Sequence, residues 1–438
     1  MLKHYSARPR AALRPFTAPR LLAVALIAGS VSLAEHRIAI AAGDLPTASP
    51  EGVGLSSKNL AAATALLKKH VGGGKVAGVV AAIMRKGKLV YFEKIGYQNL
   101  AQKTPMRNDT IFQIRSMSKP ITGVAVMILV ERGKLKLDDP VSKYLPEFKS
   151  LRVFNDAKKP DIKATHPTPR AVTIEDLLLH TSGLNHRFSK LYRTAKVRSR
   201  AEPLPVLVKK VTALPLMNDP GTTWRYSIAT TVLGRVVEVA SGQPFDAFLE
   251  ENIFKPLGMT HTGFYVKPAQ AKLLATAYAL PKGSDKLKAP PPEKVPFTQK
   301  PALLEGAAGI ATSARDYLRF SQMLLNKGEL DGTRILKAET VAAMTRNHLP
   351  AAVLPMRIFG RPVPGLGWGY NVAVVMDKTK FRYQTNNGEY FWAGSLGTRF
   401  WIDPKTETVT LFMAQIRPSF AGGLAFKWKS IATKDAKN

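Results

Sequence analysis

The sequence predicts an α+β fold: one mixed helix–sheet domain assembled from both ends of the chain, with a mostly helical, loop-rich insertion between them. Three observations carry this. Apolar, β-rich runs sit near both ends, Val76 to Met84 with Leu89 to Ile95, and Thr398 to Ile402 with Thr408 to Met413. Each pair flanks a hairpin signal, Arg85-Lys86-Gly87-Lys88 in the first and Asp403-Pro404-Lys405-Thr406 in the second. Between about Asp138 and Lys300 the texture changes to prolines, long basic loops and short helical segments. We therefore expect residues 43–137 and 301–438 to form the sheet domain and 138–300 the helical one, a division that 438 residues comfortably support.

In chain order, the first segment reads as an address. Lys3, Arg8, Arg10, Arg14 and Arg20 precede the apolar run Leu21 to Ala28, and small residues follow, with candidate cleavage after Ala34 or near Ala41-Ala42. This is the pattern of a secretory signal over 1–42, and it favours export to a periplasmic or extracellular location over an uncleaved anchor or an organellar transit peptide. The apolar run is too short for a comfortable membrane span.

Leu55 to Val71 has the period of an amphipathic helix, opened by Ser56 or Ser57 and ended by Gly72-Gly73-Gly74. Ile121 to Val130 is too continuously apolar for a surface helix and is closed by Arg132-Gly133, so a buried helix is expected with Ser116 at its amino end. The insertion carries short helices at Thr173–Leu179 and Thr230–Ala240, and Ala289-Pro290-Pro291-Pro292 marks a stiff loop. Gly306 to Ile310 leads into a helix over Ala314–Asn326, and a last helix is expected after Gly422-Gly423.

Composition limits the function classes. With 64 Lys+Arg against 31 Asp+Glu the formal charge is +33, and residues 1–42 hold only six of the basic residues and one acidic residue, so the surplus belongs to the rest of the chain. The basic residues are dispersed and no nucleic-acid motif accompanies them, which favours a solvated basic surface and argues against a nucleic-acid partner. Electrostatic contact with anionic envelope polymers stays open. Absence of cysteine excludes disulfides, thiolate catalysis and Cys-ligated zinc.

The chemistry begins at Ser116-Met117-Ser118-Lys119. Three residues is nearly one helical turn, so a hydroxyl and an amine share one face. A serine needs a base to become a nucleophile, and a lysine in a water-poor site can take or relay its proton. Alone the pattern also fits an ordinary helix start. Tyr226-Ser227-Ile228, after Pro220-Gly221-Thr222-Thr223-Trp224-Arg225, adds a tyrosine whose pKa a nearby lysine cation would depress. Trp392-Ala393-Gly394-Ser395 places small residues on a strand, where a substrate backbone could approach or where a core bulge could sit. His180, in Leu177-Leu178-Leu179-His180-Thr181-Ser182-Gly183-Leu184, is read as a hydrogen-bonded structural histidine at a helix end.

The ordered set S-M-S-K, L-L-H-T-S-G-L, P-G-T-x-W-x-Y-S, G-x-A-G-I-x-T-S-A-R-D and W-A-G-S-x-G-T resembles the serine β-lactamase/penicillin-binding-protein-like superfamily, nearest to the class C β-lactamase-type esterases, over about residues 50–420. The resemblance implies a β-lactamase/transpeptidase-like α+β fold, an antiparallel sheet flanked by helices with a helical domain inserted. It implies Ser116 as the acylated nucleophile, Lys119 as its neighbouring lysine, and Tyr226 as proton carrier, with the choice of base between the last two open. It implies oxyanion-hole N–H groups from Ser116 and Ser395, and no metal or cofactor. Ile228 stands where the family carries an amide-binding Asn, and Trp392 where it carries a carboxylate-binding Lys. With Ala393 and Gly394 these are the candidate substrate-binding residues. Neither Ile nor Trp replaces the lost contacts, so the expectation is an exported serine hydrolase for esters with an uncharged acyl part. The alternatives are a lactamase, D-amino-acid peptidase or transacylase with the same site, so the substrate is a small ester or amide. A non-catalytic envelope-binding module is the remaining reading.

Overall fold

Two hairpins from opposite ends of the chain meet edge to edge in a computed structural model that describes residues 45–436 apart from 292, 359 and 420. The expected export signal, 1–42, lies outside the described residues. The first helix, α1 (Ser57–Gly72), is capped by Ser56, whose side chain accepts from the Asn59 N–H. It precedes β1 (Gly78–Arg85), β2 (Lys88–Asn99) and the two-residue β3 (Thr104–Pro105). Lys86 and Gly87 both adopt positive φ, 50° and 72°, as a tight two-residue hairpin requires. Next come α2 (Ser118–Glu131), α3 (Ile174–Leu179), α4 (Ala229–Ser241) and α5 (Ala314–Leu325). The chain closes with β4 (Leu366–Trp368), β5 (Ala373–Val375), β6 (Tyr390–Ala393), β7 (Arg399–Asp403), β8 (Thr408–Ala414) and α6 (Ala421–Ala432).

The eight strands form one antiparallel sheet in the order β4-β5-β6-β7-β8-β1-β2-β3. Its seam is β1 against β8, from Val79 opposite Ala414 to Arg85 opposite Thr408. Every residue of both strands is buried, which explains their continuously apolar pattern. The eight-stranded antiparallel sheet with flanking helices is the predicted α+β class. Apart from the Trp392 segment, the sequence pattern does not reveal β4, β5 and β6, which are three or four residues long, too short to show a period.

α2 is buried on all sides from Ser118 to Leu129, as its composition implied. A short pair, Ile111–Gln113 with Ala311–Ser313, ties the approach to Ser116 to the glycine-rich segment before α5. There Thr122 Oγ1 donates to the Gly306 carbonyl at 2.9 Å. A Cβ at Gly306 would lie 2.8 Å from the Thr230 carbonyl, so only glycine lets this segment pass between α2 and α4. Among the described residues no helix is long and apolar enough to cross a membrane.

Candidate active site

Ser116 occupies a single 3-10 turn, Arg115–Met117, that runs into α2 at Ser118. It therefore stands two residues upstream of the α-helix proper. Arg115 is held at φ 48°, a region that costs a non-glycine residue about 1–3 kcal/mol. Its surroundings fix it there. Ser118 Oγ donates to the Arg115 carbonyl at 2.7 Å, and the Arg115 guanidinium reaches Glu293 at 2.9 Å.

Lys119 lies in the first turn of α2 and is 2 % exposed. Its Nζ donates to the Ala307 carbonyl at 2.9 Å and stands 4.6 Å from the centre of the Tyr226 ring. Burial, reinforced by the Arg187 charge, pushes its pKa well below the ordinary lysine range, against the opposing pull of Glu305.

Tyr226 lies just before α4. Its phenol is hydrogen-bonded to the Ser116 side chain and accepts the Trp392 indole N–H at 3.0 Å. Burial pushes its pKa up to about 12. The expected depression by a lysine cation is thus corrected. Desolvation outweighs the hydrogen bonds, and the same burial lowers the proton affinity of the amine beside it. The desolvating shell is aromatic. His180, Trp392, His186 and Trp224 have ring centres 4.9, 5.3, 5.8 and 6.0 Å from that of Tyr226.

His180 is fully buried at the left-handed end of α3, φ 59°, and its Nδ1 meets Ser227 Oγ at 3.0 Å and the Ser227 N–H at 3.3 Å. It anchors the segment carrying Tyr226, in keeping with a structural role. Burial keeps it neutral by pushing its pKa well down.

A cavity of about 500 Å³ brings Ser116, Lys119, Tyr226, Ile228 and Ser395 to one surface. Ile228 lines it and is otherwise buried, and its N–H donates to the Asn185 carbonyl. Ser395 follows the end of β6 in a tight turn closed by Gly397 N–H to the Gly394 carbonyl at 3.1 Å.

Trp392, Ala393 and Gly394 stand behind this wall and do not line it. Trp392 is 7 % exposed, packs edge-on to Trp368 at 4.6 Å, and faces Tyr226. A Cβ on Gly394 would lie 2.2 Å from the Ile114 carbonyl and 2.3 Å from Thr398 Oγ1. The small residue at 394 therefore admits a neighbouring protein chain, not a substrate backbone. Of the three candidate substrate-binding residues, Trp392 is thus engaged by Tyr226 and Gly394 by the Ile114 carbonyl, while the half-buried Ala393 pairs with Arg399 of β7.

Sequence reasoning missed His186, Arg187 and Phe188, which complete the wall opposite Ser116. It also missed Glu305, buried between Arg187 at 2.7 Å and Arg198 at 2.7 Å. The two guanidinium groups hold the Glu305 carboxyl well below the usual range despite its burial. His186 is pushed down to about 4 by burial and by Arg187 and Lys119. Only the long basic loops of the insertion hint at His186, Arg187 and Phe188.

The geometry puts a hydroxyl in contact with a protonated phenol and beside an amine of low proton affinity. That set can move one proton from the hydroxyl to a basic site and back to a leaving group.

The family profile Beta-lactamase matches residues 63–429. Protein Rv1367c of Mycobacterium tuberculosis (strain ATCC 25618 / H37Rv) is 35% identical over 373 residues, covering 83% of this chain and 92% of that protein. Esterase EstB of Burkholderia gladioli is 31% identical over 354 residues, covering 75% and 83%. Among solved structures, EstCE1, described as a hydrolase with promiscuous acyltransferase activity, superposes with a TM-score of 0.74 at 26% identity, over 86% of this chain and 98% of its own.

Proposed function

Because this chain belongs to the beta-lactamase family of serine hydrolases, we propose that it cleaves carboxylic esters through an acyl-enzyme on Ser116. The observation that carries the reading is the contact of Ser116 with a Tyr226 phenol whose pKa is about 12, over a Lys119 whose pKa is well below its usual value.

In the proposed mechanism Lys119 enters as the free amine and Tyr226 as the phenol. Ser116 Oγ attacks the ester carbonyl. Tyr226 takes the serine proton while passing its own to Lys119, so the proton comes to rest on the amine. The N–H groups of Ser116 and Ser395 are the proposed donors to the oxyanion, and losing one such donor typically costs about a hundredfold to a thousandfold in rate. Collapse breaks the carbon–oxygen bond, and the departing alkoxide receives the proton back through Tyr226. Water then attacks the acyl group by the same steps, releasing the acid and restoring Ser116. An alcohol in place of water would give acyl transfer from the same intermediate, and the described activity of EstCE1 supports keeping that second outcome.

Ile228 and Trp392 favour esters over lactams or D-amino-acid peptides, since one offers no hydrogen bond and the other is engaged by Tyr226. The pattern over residues 3–42 favours export, and the assignment of 138–300 as a separate helical domain is proposed with it.

The test is Ser116→Ala against p-nitrophenyl butyrate, with mass-spectrometric mapping of a fluorophosphonate adduct. Turnover should vanish and the label should map to Ser116 in the unsubstituted protein. Wild-type turnover by the variant, or labelling elsewhere, would sink the assignment.

A further inference from the structure

The arginines that look dispersed in sequence converge beside the proposed nucleophile. A cavity of about 360 Å³ adjoins the Ser116 cavity and shares Arg187 and Phe188 with it. Arg115, Arg198, Arg200 and Arg417 also line it. Five guanidinium groups there face two carboxylates, and both carboxylates are engaged. Glu305 is taken by Arg187 and, through two nitrogens at 2.9 and 2.7 Å, by Arg198. Glu293 is taken by Arg115 at 2.9 Å and lies 3.8 Å from Arg200.

The remainder is uncompensated. Arg200 is 7 % exposed, and both of its terminal nitrogens are buried without a hydrogen-bond partner. Nε of Arg115, a residue 5 % exposed, is in the same condition. Both guanidinium groups stack over Phe297, at 4.2 and 5.1 Å from its centre, which orients them without satisfying their N–H groups. Arg417 is exposed and makes no ion pair among the described residues; partial burial, then repulsion by Arg187 and Arg198, lowers its proton affinity against the pull of Glu293. Buried N–H donors without acceptors are costly, and like charges gathered at a low-dielectric wall cost more. An anion in the cavity offsets the clustered charge.

The position links this surplus to the reaction. Arg115 immediately precedes Ser116. A further cavity of about 400 Å³ continues past Arg115, Glu293 and Arg417 to Leu396, next to Ser395. Resting on the ester-hydrolase reading, we propose that the ester taken by this site carries a carboxylate, held among Arg187, Arg200 and Arg417 on the Arg115 side of the scissile bond. The Tyr226 side, walled by Ile228, takes the uncharged portion.

The experiment compares three esters with the full chain: neutral p-nitrophenyl butyrate, p-nitrophenyl hemiglutarate with the charge on the acyl side, and 3-carboxy-4-nitrophenyl butyrate with the charge on the alcohol side. One charged ester should exceed the neutral one in kcat/KM, and the advantage should shrink as salt rises. Arg417→Ala, an exposed position, should lower the charged-to-neutral ratio about tenfold to a hundredfold. Which charged ester wins identifies the side. In parallel, glutarate binding is measured by calorimetry on the unsubstituted protein and on Arg417→Ala, with folding checked by thermal unfolding. Neutral-ester turnover equal to both charged esters, with no glutarate binding, overturns the anion site and leaves the esterase reading standing. If no ester is turned over, the esterase reading falls, and glutarate binding that Arg417→Ala weakens still upholds the anion site.

Discussion

The indole N–H of Trp392 donates to the phenol oxygen of Tyr226 at 3.0 Å, from a strand position that the substrate cavity does not reach. The hydrogen bond fixes the phenol oxygen that Ser116 also contacts. Trp392→Phe keeps the packing against Trp368 and deletes the donor. We expect kcat to fall about three- to tenfold, the worth of one neutral hydrogen bond, with KM within about twofold. A rise in KM at constant kcat would instead return Trp392 to substrate contact. Steady-state kinetics on p-nitrophenyl butyrate decide it.

The pH profile follows from the site's two shifts. In the proposed mechanism the active form has Lys119 as the free amine and Tyr226 as the phenol. Falling pH protonates Lys119, so kcat/KM should rise with pH through a value well below the ordinary lysine range. The phenol keeps its proton until about 12, so no falling limb should appear across the neutral and mildly alkaline range. His186 titrates at about 4, so His186→Asn should leave the rising limb where it is. A rising limb that moves with His186→Asn would transfer the base to that histidine.

Lys119→Arg tests the same point by substitution. A guanidinium stays charged and cannot take the proton. Loss of general-base action predicts a fall of about a hundredfold to ten-thousandfold in acylation rate. Near-wild-type adduct formation with a fluorophosphonate in this variant would remove Lys119 from the mechanism.

Glu305→Gln leaves Arg187 and Arg198 without their shared carboxylate in a buried site. The expected cost is about 3–5 kcal/mol in urea unfolding at neutral pH. The sign in the unsubstituted protein follows from a depressed carboxyl pKa. Its stabilisation is fully present above the ordinary value of 4.5 and is lost as pH falls toward the lower folded-state value. A variant as stable as the parent at pH 7, with the same acid sensitivity, would rule this out.

Gly394→Ala forces a Cβ to within 2.2 Å of the Ile114 carbonyl, two residues before Ser116. Either β6 or the turn carrying Ser116 must shift. We expect a stability loss of about 1–3 kcal/mol by overpacking together with slower acylation. Thermal unfolding and timed adduct formation report the two separately, and an unchanged pair would show that the contact yields without consequence.

Much of the frame was legible because it is set locally. The β1–β2 and β7–β8 hairpins follow from short apolar runs around turn residues, and α2 from an unbroken apolar segment ended by Arg132-Gly133. The last helix begins at Ala421, slightly before the expected start, because Gly422-Gly423 reads as a break by composition yet lies in its first turn. Helices such as Leu204–Thr212 and Ala338–Met344 are not legible in the sequence pattern, because tertiary packing supplies what a short pattern does not.

By itself the sequence determined the candidate residues and their spacing: Ser116 and Lys119 one turn apart, Tyr226 and Ser395 in ordered motifs, and the departures at Ile228 and Trp392. These are properties of neighbours along the chain. Only the tertiary structure decided the protonation states. Lys119 lies 2 % exposed beside Arg187, and Tyr226 lies within a ring of aromatic side chains. It also set Trp392 behind the tyrosine and drew arginines from positions 115 to 417 around one cavity. Desolvation and Coulomb energies depend on distance through space, and the order of the chain carries no mark of how near Arg115 and Arg417 come to one another.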